Sequence, residues 1–179
     1  MSKMKLPTWK SIHTIVFDFD GVFTNNKVYF DQNGFETVRC DRGDGLGFDM
    51  LRNFIKLNNW ELNYFILSKE KNPVVLKRAE KMQVACVQSM TEKGQYLIDY
   101  LYKIKKKPNG LIYLGNDLND LSAMQIAGFS IAPIDSHPIV NKLADLVLNK
   151  KGGDGFVREF IELIIGLNEM SNDELVTLI

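Results

Sequence analysis

Short apolar runs alternate with segments of helical period along most of the chain. The runs are rich in β-branched and aromatic residues, as expected for buried parallel strands. They cover residues 12–19, 62–67, 84–87, 111–114, 129–132 and 146–148. Helical periodicity begins at 44 and at about 72, covers 91–104 and 118–127, and begins again near 155. Strands that alternate with helices predict right-handed βαβ crossovers, and therefore an α/β fold with a Rossmann-like, doubly wound parallel sheet.

The segment 27–40 departs from this alternation. Two strand-like runs, Val28-Tyr29-Phe30 and 35–38, flank a turn that contains Asn33-Gly34. Asn-Gly between such runs is a strong hairpin signal, so we expect a β-hairpin flap inserted after the first strand. Its aromatic side chains would need a partner to cover them, which favours an oligomer. These side chains are Tyr29, Phe30 and Phe35.

The first helix should present one apolar face to the sheet. Positions about one helical turn apart are apolar, and a stripe with this spacing predicts the buried side. The stripe consists of Leu46, Met50, Phe54 and Leu57. Asn58-Asn59 directly after it is a plausible stop for the helix.

Three further local features are predicted. Thr91 is a possible N-cap for the helix over 91–104, and His137-Pro138 indicates a turn. The helix that begins near Gly155 is expected to be the last one. The polar tail that follows, about 168–179, is expected either to be disordered or to reach a neighbouring subunit.

Length and composition suit a single globular domain over 1–179, with 45% hydrophobic and 25% charged residues. Lys and Arg number 22, as do Asp and Glu, and zero net charge argues against nucleic acid as a partner. The chain lacks an apolar run of about 18 residues, which argues against a membrane span. Residues 1–13 lack the apolar region of a secretory signal. Cys40 and Cys86 are isolated, as in a reducing cytosol, so we expect a cytoplasmic protein.

Polar residues follow the apolar runs where the strands should end. Asp18 and Asp20 stand at the end of the first run, Ser68 follows the second and residues 115–120 follow the fourth, while Lys93 lies early in the third helix. Because ligands bind outside the carboxyl ends of parallel strands, these side chains should converge. Clustered carboxylates repel one another unless a cation binds, and Mg²⁺ suits hard oxygen ligands. An aspartate can also act as a nucleophile, so the residues predict hydrolysis of a phosphate monoester.

Four motifs in this order resemble those of the haloacid dehalogenase (HAD) phosphohydrolases. Asp18-Phe19-Asp20-Gly21-Val22-Phe23-Thr24 looks like the first motif, Ser68 the second and Lys93 the third. Gly115-Asn116-Asp117-Leu118-Asn119-Asp120 looks like the fourth. The resemblance implies that Asp18 is the nucleophile and Asp20 the general acid and base. Ser68 and Lys93 would hold the phosphoryl group during its transfer.

The same resemblance implies Mg²⁺ as the cofactor. Its protein ligands would be the carboxylates of Asp18 and Asp117 and the main-chain carbonyl of Asp20. Asp120 and Asn116 would lie behind these ligands, with Asp120 orienting either the metal ligands or the catalytic lysine.

Cap domains of this superfamily are inserted between the first and second or the second and third motifs, and neither gap has room for one here. The chain looks most similar to capless members that hydrolyse phosphates of 2-keto-3-deoxy sugar acids. These include octulosonate 8-phosphate and nonulosonate 9-phosphate phosphatases and a phosphatase-like domain of some acylneuraminate cytidylyltransferases. They imply a small-molecule sugar acid phosphate as substrate, a homotetramer assembled through the hairpins, and substrate contacts from Thr24, Gly45 and Arg158.

The second motif leaves the substrate open. Octulosonate phosphatases typically carry Thr-Gly-Arg there, whereas this chain has Ser68-Lys69-Glu70-Lys71-Asn72-Pro73. Its serine and the following Asn-Pro look closer to the acylneuraminate-associated branch. Octulosonate 8-phosphate and nonulosonate 9-phosphate therefore both stay as candidates. An alternative function is a catalytically weak module retained for oligomerisation beside a sugar-acid cytidylyltransferase. The presence of all four motifs favours an active enzyme.

Three of the site residues also have purely structural interpretations. Ser68 could be the N-cap of the helix that follows it. Asp120 could answer the dipole of its own helix. Arg158 could lie on the exposed face of the helix that begins near Gly155.

Overall fold

The computed structural model describes residues 5–179; the first four residues of the predicted domain 1–179 lie outside this range. The strands are β1 (Thr14–Phe17), β2 (Thr24–Phe30), β3 (Glu36–Cys40), β4 (Asn63–Leu67), β5 (Ala85–Val87), β6 (Leu111–Leu114), β7 (Phe129–Ala132) and β8 (Leu146–Val147). The α-helices are α1 (Gly43–Asn58), α2 (Val74–Met82), α3 (Lys93–Ile104), α4 (Leu121–Ile126), α5 (Pro138–Leu143), α6 (Phe156–Ile165) and α7 (Asn172–Leu178). Among these helices, none is long and apolar enough to cross a bilayer.

Six strands form one sheet in the order β5-β4-β1-β6-β7-β8, and every neighbouring pair is parallel. β1 lies between β4 and β6, with Ile15 opposite both Tyr64 and Ile112. The chain first extends the sheet on one side of β1 and then crosses to the other. A crevice opens at such a switch point, beyond the carboxyl ends of the central strands. The predicted doubly wound parallel sheet is confirmed.

Helices cover both faces of the sheet because successive side chains of β1 point in opposite directions. Ile15 and Phe17 pack in a core with α1, α2, α6 and α7. Val16 packs in a second core with α3, α4 and α5. All three side chains are fully buried, which explains why the strand has a continuous apolar sequence rather than an alternating one.

The predicted hairpin is present as a separate antiparallel sheet of β2 and β3. Its register shifts between Thr24 and Val28. Gly34 at the tip has a φ of +80°, a conformation that favours glycine. The hairpin and α1 fill the chain between β1 and β4, and α2 and β5 fill the chain from β4 to α3. Neither of these two described stretches contains a cap domain, as predicted.

The buried face of α1 was predicted incorrectly at two positions. Leu46 and Leu57 are 41% and 58% exposed. The buried stripe is shifted around the helix and contains Phe48, Met50, Leu51 and Phe54. The shift arises because α1 packs against α6 as well as the sheet, a contact that spacing within α1 alone does not reveal. The predicted stop is confirmed, since α1 ends at Asn58 and Asn59 has a φ of +50°.

Helix starts differ from the predictions in two places. α3 begins at Lys93, not at residue 91, and Thr91 is not its cap. His137-Pro138 does not form an isolated turn but begins α5: the His137 ring accepts a hydrogen bond from the main-chain N–H of Ile139, and proline occupies the first turn. The helix expected over 118–127 is divided into a 3₁₀ turn, Leu118–Asp120, and α4.

The expectation of a disordered C-terminal tail is wrong, and α6 is not the last helix. Ser171 and Glu174 form a capping box at the start of α7. Leu178 at its end is buried, and Asn53 of α1 donates to the Leu178 carbonyl at 3.0 Å. Helix α7 is short and largely polar, and Leu178 is its buried residue. The packing of Leu178 therefore holds α7 against the rest of the domain. Contact of this segment with a neighbouring subunit stays a prediction.

Candidate active site

The residues predicted to converge lie around one cavity of about 470 Å³ at the carboxyl ends of β1, β4 and β6. The loops after these strands bring polar side chains to the switch point of the sheet. The lining residues are Asp18, Asp20, Asn26, Ser68, Lys69, Glu70, Lys71, Asn116, Asp117 and Asn119. Lys93 and Asp120 lie behind this lining, in contact with it.

Lys93 is the first residue of α3, and only 1% of it is exposed. Its Nζ lies 2.7 Å from Oδ1 of Asp18 and 2.8 Å from Oδ1 of Asp120. Burial alone would lower the pKa of Lys93, but the charges of the two carboxylates outweigh it and raise that pKa above its usual value. The ammonium therefore stays protonated beside Asp18.

Asp120 is fully buried, and both of its carboxylate oxygens accept hydrogen bonds. Its Oδ1 accepts from Lys93 and from the hydroxyl of Tyr113. Its Oδ2 accepts from the main-chain N–H groups of Asn116 and Asp117. Asp120 and Asp117 also form a capping box at the 3₁₀ turn. A role of Asp120 in the site and a role at the start of its helix are therefore compatible.

The surroundings of Asp18, the nucleophile candidate, only partly compensate a negative charge on its carboxylate. Burial and the charge of Asp120 raise its pKa to about 8, against the opposing effect of Lys93. Burial and the charges of Glu70 and Glu36 raise the pKa of Asp20 to about 6. Negative charge is therefore in excess on this side of the cavity.

This charge excess and the donor chemistry fit a divalent cation. Asp18, Asp20, Asp117 and Asp120 supply four carboxylates against the single buried ammonium of Lys93. All available donors are hard oxygens, which Mg²⁺ prefers. Among residues 5–179, no group of three or more His, Cys, Asp or Glu side chains is arranged so that it could hold a metal ion by itself. The implied set needs only two side-chain carboxylates and a main-chain carbonyl, so it is compatible with this finding.

Asn116 adds a further oxygen at the same place. It is 6% exposed, and its side-chain Oδ1 is buried without a hydrogen-bond partner in the described part of the chain. Its amide packs so closely on Gly21 that a Cβ at that position would lie 1.9 Å from Nδ2. Gly21, with a φ of +76°, is thus required both for its backbone conformation and for the space that Asn116 occupies.

Ser68 lines the cavity and is 1% exposed. Its hydroxyl accepts from the main-chain N–H of Glu70 at 3.1 Å. The alternative role of Ser68 as the N-cap of α2 is wrong, because that helix begins six residues later at Val74, where Asn72 accepts the N–H of Val74.

Thr24, Gly45 and Arg158 do not line the cavity. The buried Thr24 hydroxyl accepts from the N–H groups of Gly21 and Asn26, which shapes the loop after β1. Arg158 donates from Nε to Glu162 at 2.5 Å, and its side chain is 23% exposed. Thr24 thus contacts the cavity wall indirectly, through Asn26, whereas Arg158 bonds within its own helix. The substrate contacts of Thr24, Gly45 and Arg158 stay predictions.

Sequence reasoning assigned no role to several residues at the site. Lys69 and Lys71 line the cavity on the loop after β4, as does Glu70 between them. Asn72 of the same loop donates to Glu36 of β3 at 3.1 Å, which ties the hairpin to the cavity rim. The position of this loop directly after a strand of the parallel sheet could have indicated its place at the cavity.

Comparison with known proteins is consistent with this geometry. The family model for haloacid dehalogenase-like hydrolases matches residues 53–160. The 3-deoxy-D-manno-octulosonate 8-phosphate phosphatase of Salmonella typhi is 29% identical over 157 residues, covering 87% of this chain and 80% of that protein.

Solved structures share the fold over almost the whole chain. A protein from Streptomyces avermitilis assigned to the HAD hydrolases is 36% identical, with a TM-score of 0.83, and the match covers 92% of this chain and 97% of that one. The octulosonate 8-phosphate phosphatase of Moraxella catarrhalis, solved with a magnesium ion, a phosphate ion and a KDO molecule, is 27% identical with a TM-score of 0.79. That match covers 88% of each chain.

Proposed function

The chain belongs to the haloacid dehalogenase-like hydrolases, and we propose that it hydrolyses the phosphate monoester of a 2-keto-3-deoxy sugar acid with Mg²⁺, through an aspartyl phosphate. Family and relatives make it a phosphoric monoester hydrolase; the substrate, the metal and the intermediate are the proposal. The observation that carries it is the buried Asp18 carboxylate, held 2.7 Å from Lys93 at the wall of a cavity that Asp20, Ser68 and Asp117 share.

The first step is attack on phosphorus by a carboxylate oxygen of Asp18. The new bond joins that oxygen to phosphorus, and the bond from phosphorus to the sugar oxygen breaks. Asp20, on the same loop and facing the same cavity, donates its proton to the departing sugar oxygen. The products of this step are the free sugar acid and an aspartyl phosphate.

The second step returns the enzyme to its starting state. Asp20, now ionised, takes a proton from water, and the water oxygen attacks phosphorus. The bond from phosphorus to Asp18 breaks and inorganic phosphate leaves. One residue thus acts as acid and then as base, which is the behaviour expected of a carboxyl group beside the transferred phosphoryl group.

Positive charge is needed around the phosphoryl oxygens throughout. Lys93, from behind Asp18, and the Ser68 hydroxyl, on the cavity wall, would supply it from the protein side. Asp18, Asp117 and the carbonyl of Asp20 would hold the Mg²⁺. When bound, the cation supplies additional charge neutralisation for phosphoryl transfer.

Octulosonate 8-phosphate is the favoured substrate because the relatives from S. typhi and M. catarrhalis are named for it. Nonulosonate 9-phosphate is the second candidate. It is favoured by Ser68 and the following Asn72-Pro73, which resemble the acylneuraminate-associated branch, whereas octulosonate phosphatases typically carry Thr-Gly-Arg at this motif. A phosphate-release assay with Mg²⁺ and both sugar acid phosphates tests this choice. We expect a higher kcat/KM for octulosonate 8-phosphate than for nonulosonate 9-phosphate. A higher kcat/KM for the nonulosonate would reverse the assignment. If the protein hydrolysed neither compound, both substrate assignments would be wrong.

We also propose a cytoplasmic homotetramer assembled through the hairpins. Tyr29, Phe30 and Phe35 are 54%, 65% and 70% exposed on one small two-stranded sheet. A second copy of the chain would cover these rings with its own, and the open, capless cavity lies beside the hairpin through the contact of Asn72 with Glu36. Sedimentation of the wild-type protein should give a tetramer, whereas a monomer at every concentration contradicts the assembly.

A further inference from the structure

Tyr113 lies in the middle of β6 and has no exposed surface. The other residues of this strand, Leu111, Ile112 and Leu114, are aliphatic. Burying a hydroxyl costs free energy unless it finds a hydrogen-bond partner. The partner here is Asp120, whose Oδ1 accepts the hydrogen bond from Tyr113 Oη at 2.7 Å. The phenol therefore directs its polar atom to the site from the interior of the sheet.

The carboxylate of Asp120 is held by four donors. Oδ1 accepts from Tyr113 and, at 2.8 Å, from Lys93 Nζ. Oδ2 accepts from the N–H of Asn116 at 2.9 Å and of Asp117 at 3.3 Å. Two donors on each oxygen fix both the position and the plane of the group. Without the phenol, Lys93 would be the one side-chain donor left on Oδ1 in the described part of the chain.

The position of Lys93 depends on its two acceptors. A lysine carries a compact charge on a flexible stem, so its acceptors decide where the ammonium lies. For Lys93 these are Asp18 at 2.7 Å and Asp120 at 2.8 Å. Rotation of the Asp120 carboxylate would therefore move the ammonium relative to Asp18.

We propose that Tyr113 is a positioning residue for the phosphatase reaction: its hydroxyl fixes Asp120, and through Asp120 it holds Lys93 against Asp18. This inference rests on the proposed function of the site. Tyr113 does not line the cavity, so it acts through other residues and not on the substrate. Burial and the charge of Asp120 raise the pKa of Tyr113 well above its ordinary value, so the phenol remains a donor.

Tyr113→Phe removes the hydroxyl and keeps the ring. With octulosonate 8-phosphate and with p-nitrophenyl phosphate, kcat should fall about tenfold while KM stays within about twofold, because the contact orients the reacting groups rather than binding substrate. The matched control is Tyr100→Phe in α3. Tyr100 is partly buried, packs on Phe65 in the core with ring centroids 5.0 Å apart, and does not line the cavity. This control should keep the wild-type kcat.

The pathway through Asp120 is tested by combining variants. In an Asp120→Asn background, Tyr113→Phe should change kcat by less than about twofold, because the two residues act as one unit. An equal loss in both backgrounds overturns the proposal. So does a Tyr113→Phe enzyme that melts at a lower temperature but keeps the wild-type kcat per folded molecule, since that describes a structural role.

Failure of the proposed function would be visible separately, as a wild-type protein that releases no phosphate from any substrate. Positioning is then tested without turnover, by binding of beryllium fluoride with Mg²⁺ to Asp18, followed by fluorine NMR. Tyr113→Phe should weaken this binding about tenfold. Unchanged affinity, or no binding by the wild-type protein, overturns the inference.

Discussion

Nζ of Lys93 lies 2.7 Å from Oδ1 of Asp18, and both side chains are almost completely buried. An ammonium and a carboxylate in such surroundings are stable only together, because either one alone would be an uncompensated charge away from water. Lys93 is the first residue of α3 and Asp18 directly follows β1, so the pair joins two parts of the fold through residues 75 positions apart in sequence. Catalytic geometry and the stability of the switch point are therefore coupled.

Lys93→Met should damage both stability and activity. The methionine is of similar length but leaves Asp18 and Asp120 without their shared cation, so we expect the free energy of unfolding to fall by about 3–5 kcal/mol at neutral pH. Phosphate release should fall at least about a hundredfold. Urea unfolding and a phosphate assay measure the two effects. Lys103→Met, an exposed position on the same helix, is the control, and equal stability of the two variants would be contrary to this account.

Binding of Mg²⁺ should be measurable without turnover. Magnesium should raise the melting temperature of the wild-type protein after treatment with a chelator, because a ligand that binds only the folded state stabilises it. Asp117→Asn removes one proposed carboxylate ligand and should lose most of this increase. Asp173→Asn, on the exposed side of α7, should keep it. An increase retained in full by Asp117→Asn excludes that residue as a ligand.

Gly21 and Gly34 offer a matched pair for testing the role of Asn116. Both have positive φ, +76° and +80°, so alanine strains the backbone similarly, by about 1–2 kcal/mol. At Gly21 the new Cβ would overlap the Asn116 side chain, whereas at Gly34 no heavy atom of residues 5–179 beyond its two chain neighbours lies within 4 Å of it. Gly21→Ala should therefore lose most of its kcat, whereas Gly34→Ala should lose stability alone. Similar kcat values for the two variants would show that Asn116 can move without consequence.

Asp44 should make stability depend on pH. It is fully buried at the start of α1, where Oδ1 accepts from the Arg158 N–H at 3.0 Å and Oδ2 has no partner in the described chain. Burial raises its pKa to about 7. The folded state thus holds this proton more tightly than the unfolded chain, whose pKa is about 4. Its contribution to stability is present below about pH 4 and is lost as the pH rises to about 7.

Asp44→Asn replaces the carboxyl group with an amide, which is neutral at every pH as the protonated carboxyl group is. Relative to wild type, the variant should gain more than about 1 kcal/mol of unfolding free energy between pH 4 and pH 8. Urea unfolding across this range measures the difference. Glu61→Gln, at an exposed position, should run parallel to wild type, and a parallel curve for Asp44→Asn would exclude Asp44 as the cause.

The sequence contains enough information for the sheet and for most of the site. β6 and β7 match their predicted bounds, because a strand buried on both faces has an apolar sequence with sharp ends. The rule that ligands lie beyond the carboxyl ends of parallel strands then placed Asp18, Ser68 and Asp117 at one cavity.

Features that depend on packing between distant parts of the chain could not be predicted from the sequence. The exposed Leu46 and Leu57 depend on where α6 lies against α1. The order in the tail depends on the contact of Leu178 with α1. Tyr113 reads as one more apolar residue of its strand until the fold brings Asp120 to its hydroxyl. Its signal was an isolated polar atom in an otherwise aliphatic run, two residues before Gly115.

Phosphate release from octulosonate 8-phosphate by the wild-type protein and by Asp18→Asn, each with Mg²⁺, tests the central claim most directly. The asparagine keeps the shape of the side chain but cannot form an aspartyl phosphate. We expect the wild-type protein to release phosphate and the variant to be slower by at least about a thousandfold. A variant that keeps the wild-type rate would contradict Asp18 as the nucleophile.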